Sequence, residues 1–345
     1  MNIREVARLA NVSPSTVSRV LNGTKAVSPD VKSRVLQVVW EHGYIPNSAK
    51  RHSRTIAVVI PRTFTSHGWS GEILDGILDG AKADAVTLIR EETLAGSTVH
   101  YWHQQVRQAG LKGVLLVAGE HTEPIANSVR QTGLPYVVIG RGKADDSWVW
   151  CDNVLVVAQA LERLYREGHR RIAFIGYAGP QTDHTDRLTV YRAFVAARAL
   201  EKIEVLLDVA KPLTGDIVSV MDAPAPPTAI FVAGSNTALY ALSLLAERGV
   251  AVPEDIAFVA FGPHPMLRAR RPPIYLIERS LRAGARTAVE KLLSMHESPA
   301  EGPVQLRLPS RLLRGDQELE LPPIPEDLRA RLAEYVGRSV NPGAP

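Results

Sequence analysis

Cysteine occurs once in this 345-residue chain, at Cys151. That excludes an internal disulfide framework and fits a reducing compartment. Long hydrophobic runs are missing as well. Apolar stretches such as 114–118 and 258–261 fall far short of the roughly 20 residues needed to span a bilayer. Asn2, Arg4, Glu5, Arg8 and Asn11 interrupt the N-terminus throughout, so no signal peptide is expected and a cytoplasmic location is. There is no glycine-rich phosphate loop ending in Gly-Lys and no HExxH pair. The ten histidines are scattered; His100 and His103 share a helix face, but no third ligand stands beside them. Cys151 has no histidine near it in the sequence. No catalytic residue, metal or cofactor is therefore expected, and the chain does not read as an enzyme.

What is present is a globular composition, 45% hydrophobic and 22% charged, in a chain too long for a single core, so two or three domains are expected. Charge is unevenly spread. Residues 1–55 hold nine Lys or Arg against Glu5, Asp30 and Glu41, a net +6, whereas the whole chain carries +4 and the remainder therefore −2. A basic head on a near-neutral body is the footprint of phosphate contact, since most affinity for DNA is electrostatic.

Three short helical patterns fill that head. Ile3, Val6, Ala7 and Ala10 share one face of the first. Ser13 is placed to cap a second helix with Pro14 in its first turn, turning Val17, Val20 and Leu21 inward. Ser28 and Pro29 repeat that start for a third, which offers Val31, Val35, Leu36, Val38 and Val39 for packing. Two tight helices with a short break and a bracing third place a helix N-terminus in the major groove of DNA. A small helical domain that merely packs, or that contacts other proteins, is the competing reading; the +6 charge disfavours it.

The run VSPSTVSRVLNG, followed by VSPDVKSRVLQVVWEHGYIPN, closely resembles the headpiece of the lac-repressor family of bacterial transcription regulators. Looser matches continue through PYVVIGR (135–141), CDN (151–153), GHRRIAFIG (168–176), PTAIF (227–231), GVAVPEDIAFVAF (249–261) and LRLPSRLLRGD (306–316). The resemblance implies a regulator that binds a pseudopalindromic operator on double-stranded DNA as a homodimer, probed by a small-molecule effector. It implies base contacts at Pro14 and Ser15, the two positions after the Val-Ser turn. Helix geometry adds Arg19, which can form a bidentate pair with guanine, whereas Pro14 has no donor and Ser15 discriminates weakly. Ser13, Thr16, Ser18, Asn22 and Lys25 are expected on phosphates, where they position rather than specify.

The fold expected is multidomain α/β: a small all-α helix-turn-helix headpiece (1–46), a short basic linker (47–55), a two-lobed periplasmic-binding-protein-like domain with mostly parallel sheets (56–316), and a Pro-rich tail with one short helix (317–345). Apolar runs such as IAVVI, VTLI, GVLLVA and YVVIG alternate with helical patterns at 71–85, 98–109 and 122–132, the rhythm of a parallel sheet covered on both faces. It restarts after Asp152, with helices at 154–167, 187–199, an end near 217–222, 237–248 and 280–293. Lobe one is taken as 56–152 with 280–316 returning to it, as the resemblance implies, and lobe two as 153–277. The linker is shorter than the family's hinge segment and has no leucine, though Lys50, Arg51 and Arg54 can still grip DNA. In the tail, Leu328, Leu332, Tyr335 and Val336 form a short stripe that docks on its own subunit, on a neighbour, or frays.

Ligands in open α/β sheets settle at the carboxyl ends of the strands. There the resemblance assigns Arg187 to the effector. Trp69, Arg141, Ser235 and Asn236 are further candidates, with Asp183 and His184 nearby in the same loop region. Where the family shows Asn-Asp after PTAIF, this chain has Gly234-Ser235; where it shows Gly-Phe-Asp-Asp, this chain has Ala260-Phe261-Gly262-Pro263. Losing two carboxylate acceptors argues against a simple neutral hexose. An anionic or aromatic effector remains open, as does a DNA binder with a vestigial cleft. A solute-binding protein is disfavoured by the headpiece.

Overall fold

The computed structural model describes residues 2–22, 27–41, 55–62, 64, 69–82, 84–94, 99–177, 182–208, 211, 213–262, 264–298 and 302–340. The head consists of α1 (Ile3–Leu9), α2 (Pro14–Asn22) and α3 (Pro29–Glu41). Its first helix starts on a reciprocal cap: the Asn2 side chain accepts from the Glu5 amide, and Glu5 accepts from the Asn2 amide at 2.8 Å. Asn11 takes the left-handed conformation, φ 51°, that lets the chain turn between α1 and α2. Val6, Ala7, Ala10, Val17, Val35, Val38 and Val39 form the buried core, with Val20, Leu21 and Val31 packed at its margin. Short aliphatic residues let the three helices approach closely.

By compactness the chain divides into two units: Met1–Phe64, Asp75–Val149 and Ala285–Gln305, and then Thr65–Leu74, Trp150–Gly284 and Leu306–Pro345. The α/β part of the first is built on β1 (Thr55–Ile60), α4 (Ser70–Ala81), β2 (Ala85–Arg90), α5 (Val99–Ala109), β3 (Leu111–Val117), α6 (Thr122–Arg130), β4 (Tyr136–Ile139) and β5 (Trp148–Cys151). Strands β1 to β5 pair in parallel; with β11 (Gln305–Leu308) they form a six-stranded sheet ordered β11-β5-β4-β3-β1-β2. Strands β1, β3 and β4 are buried along nearly all their length, as continuous β-branched runs covered on both faces should be. Strand β2 is different. It closes one edge, and Leu88 is exposed there, so an apolar run alone did not report its position in the sheet.

The second unit is built on α7 (Val154–Arg166), β6 (Ile172–Tyr177), α8 (Thr182–Ala197), β7 (Ile203–Leu207), β8 (Ala229–Val232), α9 (Ser235–Glu247), β9 (Ala257–Phe261), α10 (Pro265–Ala269) and β10 (Tyr275–Arg279). After α11 (Leu281–Glu297) come β12 (Ser310–Arg314), β13 (Gln317–Glu318) and α12 (Glu326–Val340). The sheet order is β13-β12-β10-β9-β8-β6-β7, parallel from β7 to β10 and antiparallel at β12 and β13. One face of its core is aromatic: Phe174 stacks on Phe231 at 5.8 Å and on Tyr191 at 5.1 Å.

Several expectations shift here. The 280–316 stretch was expected to return whole to the first lobe. Only its middle does, because Arg279 pairs with Ser310 and draws β12 antiparallel onto β10 of the second sheet. Helix α8 begins at Thr182, not at 187, so Arg187 sits in its second turn. Residues Gly215–Asp222 are a 3-10 segment with a non-helical Val218, not the end of an α-helix. Strand β7 went unrecognised because its alternating IEVLL pattern belongs to a half-exposed edge. The tail helix docks on its own unit: Leu328 and Leu332 are buried, α12 packs on α8, and Gln159 donates to the Pro322 carbonyl. Among the described residues, no helix is long and apolar enough to cross a membrane.

Candidate functional site

Two sets of residues can meet a partner. The first is the start of α2. Ser13 caps it: its hydroxyl accepts from the Thr16 amide at 3.1 Å and lies 2.8 Å from both the Ser15 and Thr16 hydroxyls. Pro14 and Ser15 are exposed beside it. About one turn on, Arg19 is exposed and makes no ion pair with any described residue, while Val17 on the opposite face is fully buried. Thr16 and Ser18 are half-buried. The backbone of Asn22 ends α2. Lys25, Lys50, Arg51 and Arg54 lie outside the described residues, as does all of the linker before Thr55.

The second set lies at the carboxyl ends of the parallel strands of the second sheet. Arg187, 4% exposed, reaches from α8 and donates from Nη1 to the Ala233 carbonyl just past β8, at 2.8 Å. Its guanidinium stacks 3.8 Å from the ring centre of Phe261, the last residue of β9. Arg279 ends β10, is 8% exposed, and lies 5.5 Å from the same ring. One carboxylate oxygen of Asp183 serves both, accepting from Arg279 Nη1 at 2.8 Å and lying 3.5 Å from Arg187 Nη2. Burial and the like charge of Arg279 pull the Arg187 guanidinium down to about 9. Burial alone would raise the Asp183 carboxyl; Arg279, then Arg187 and His184, outweigh it and hold the group below its ordinary value. A buried guanidinium is costly unless paired and hydrogen-bonded, yet Nε of both arginines has no hydrogen-bond partner.

Ser235, buried, opens α9 beside this cluster, and Asn236 is exposed. Gly262 follows Phe261 with φ +111°, and a Cβ there would lie 3.5 Å from that of Ser235. The two positions that lack carboxylates are thus neighbours, and the backbone at 262 is one that only glycine adopts without strain. Trp69 is half-buried just before α4; Arg141 is half-buried after β4, in the first unit. Cys151 is buried, and burial pushes its thiol up to about 11, the wrong direction for a nucleophile. Sequence reasoning missed Arg279. Its signal was a charged residue closing the apolar run Tyr275–Ile277, which reads equally well as an ordinary strand end.

A surface cavity of about 480 Å³ opens at the other end of the same strands. Within its lining Tyr275 donates to Glu167 at 2.5 Å, and His169 Nδ1 bonds Thr228. Arg314 in its lining lies 5.4 Å from the Tyr275 ring centre.

The described residues thus combine a capped second helix carrying an exposed arginine with parallel α/β units, the second of which has a buried charged cluster at its strand ends. The profile of the bacterial regulatory proteins of the lacI family matches residues 2–47, and that of the periplasmic binding protein-like domain matches 161–316. The HTH-type transcriptional regulator CelR of Thermobifida fusca is 30% identical over 334 residues, 89% of this chain and 95% of that protein. The chain belongs to the lacI family. It is a transcriptional regulator that binds DNA, and like the relatives it matches it is not an enzyme. Among solved structures, a CelR–cellobiose complex superposes with TM-score 0.63 at 27% identity, covering 92% of this chain and all of that one (100%). The lac repressor dimer bound to operator and the anti-inducer ONPF gives 0.65 at 22% identity, covering 91% and 98%, a likeness of fold.

Proposed function

We propose that the protein is a repressor that binds a pseudopalindromic operator as a homodimer and is modulated by an effector held at the strand ends of the second unit, one that is not a simple neutral sugar. Arg19 supplies most of the hydrogen-bond specificity, Pro14 and Ser15 add weak selection, and Ser13, Thr16, Ser18, Asn22 and Lys25 hold phosphates. Lys50, Arg51 and Arg54 extend that grip through the linker. Trp69, Arg187, Ser235 and Asn236, all in the second unit, serve the effector. A DNA-bound Ser15 exchanges its present bond to the Ser13 hydroxyl for a base, which further limits its discrimination. A single head of three short helices buries little surface, so two copies reading a two-fold site are needed.

The observation that carries the effector reading is the pair of buried arginines beside Ser235 and Gly262. The CelR complex contains cellobiose, a neutral disaccharide. Here the one carboxylate that contacts both buried guanidiniums at the second unit's strand ends, Asp183, is already engaged by them, whereas recognition of hydroxyls calls for available acceptors. Regulation requires the effector to bind two conformations unequally. The test is operator binding by fluorescence anisotropy, with thermal shifts against sugars, sugar phosphates, nucleosides and organic acids. A shift confined to neutral sugars contradicts the effector class, and no shift from any compound favours an effector-independent regulator. Retained operator binding after removal of residues 1–46 would refute the DNA assignment.

A further inference from the structure

The two arginines at the strand ends of the second unit are matched unequally. Each guanidinium carries five N–H donors in a fixed fork. Arg187 spends one on the Ala233 carbonyl and faces Asp183 at the long distance of 3.5 Å; Arg279 spends one on the same Asp183 oxygen. The Nε donors of both are buried without a hydrogen-bond partner. Phe261 holds the two guanidiniums on a common aromatic platform.

Asp183 differs from its partners in exposure. Its side chain is 33% exposed, against 5% for that of Arg187, and it stands in the first turn of α8, one turn ahead of Arg187. It binds the arginines through one oxygen, Oδ2, where an arginine fork favours two. Asp186, fully buried one residue before Arg187, already contributes a second negative charge. Moving Asp183 into water takes away the one carboxylate that contacts both guanidiniums and leaves buried positive charge there unmatched. A ligand oxyanion entering in its place restores the balance and offers the second oxygen that Asp183 does not supply. A neutral hydroxyl compound making the same exchange leaves that charge buried.

We infer that the Arg187–Arg279 pair seats a carboxylate or phosphate group of the effector, and that Asp183 is the built-in occupant the ligand displaces. This rests on the reading that the second unit holds an effector. Within it, Arg187 and Arg279 bind the anion, Phe261 positions them, and Asp183 sets the affinity by competition.

The full-length protein is titrated at constant ionic strength with succinate, inorganic phosphate and cellobiose, following binding by calorimetry and the thermal midpoint. Binding of succinate or phosphate is expected, the two arms separating a carboxylate seat from a phosphate seat. Arg279→Gln should weaken it about tenfold or more, equivalent to losing one charge-assisted contact. Asp183→Asn, which keeps shape and removes the competing charge, should tighten it several-fold; this second variant keeps the test decisive should Arg279→Gln fold poorly. Binding of neither anion overturns the inference, as does anion affinity unchanged in Asp183→Asn. Cellobiose binding that alters operator affinity while neither anion binds overturns the anion seat but leaves an effector site standing. Failure of every compound in the wider metabolite panel removes the effector reading itself.

Discussion

The head and the second unit handle cationic side chains in opposite ways. Arg19 is exposed on a helix whose fold is settled by neighbours within a few residues: Ser13 caps it and Val17 anchors it. Arg187 and Arg279 are buried, 92 positions apart in sequence by their residue numbers, and meet only because β8, β9 and β10 run parallel in adjacent register. The first arrangement leaves a charge in water to be matched by phosphate or guanine on demand. The second matches its charges internally and leaves them available only by exchange. Under the proposed function the two would serve different ends: a reading face with little internal competition, and a sensing site whose resting state is self-satisfied enough to fold.

That contrast can be broken at several points, beginning with stability. Phe231→Ala removes a fully buried ring stacked on Phe174 and should cost about 3–5 kcal/mol. Chemical denaturation followed by tryptophan fluorescence reads it; a loss confined to the head's helical signal would show that the units do not have the separate cores described. Next comes Arg19→Ala, expected to cost about 1–3 kcal/mol of discrimination for operator over random duplex with little change in thermal midpoint, since the residue is exposed. Equal losses on both DNAs would reduce Arg19 to a phosphate contact.

Removing the cap with Ser13→Ala should cost about 1 kcal/mol of head stability, visible as faster amide exchange at Ser15 and Thr16 with the second unit unaffected. Exchange unchanged at those amides would show that Pro14 alone holds the helix start. The smallest effect is on pH. Because Asp183 is held below its ordinary value by Arg279, Arg187 and His184 against the opposing effect of burial, its contribution is complete above the ordinary carboxylate range. It is lost as pH falls through the depressed folded value. The acid limb of the thermal midpoint should flatten in Asp183→Asn; parallel curves for the two proteins would mean that the pair adds nothing to stability.

Much of the fold was legible because its signals are local. Pro at N1 after Ser, at residues 13–14 and again at 28–29, marked two helix starts, and both are present. Continuous β-branched runs marked β1, β3, β4, β6 and β8 as buried strands. Edges were harder. An exposed edge strand needs only one apolar face, so β7 was missed and the burial of β2 was overstated. The capping pair of Asn2 and Glu5 was also overlooked, although Asn followed three residues later by Glu is a readable start signal.

Sequence alone therefore determined the basic trihelical head, the family, the alternating α/β body and the absence of carboxylates at positions 235 and 262. It also named Arg187. Tertiary structure decided three things. It placed β12 and β13 on the second sheet, docked the tail helix on α8, and brought Arg279, Asp183 and Phe261 to Arg187. The physical reason is common to all three. Helix caps and buried runs are written in residues a few positions apart, whereas strand order and the company a buried charge keeps depend on which distant segments pair, and no local pattern records that choice.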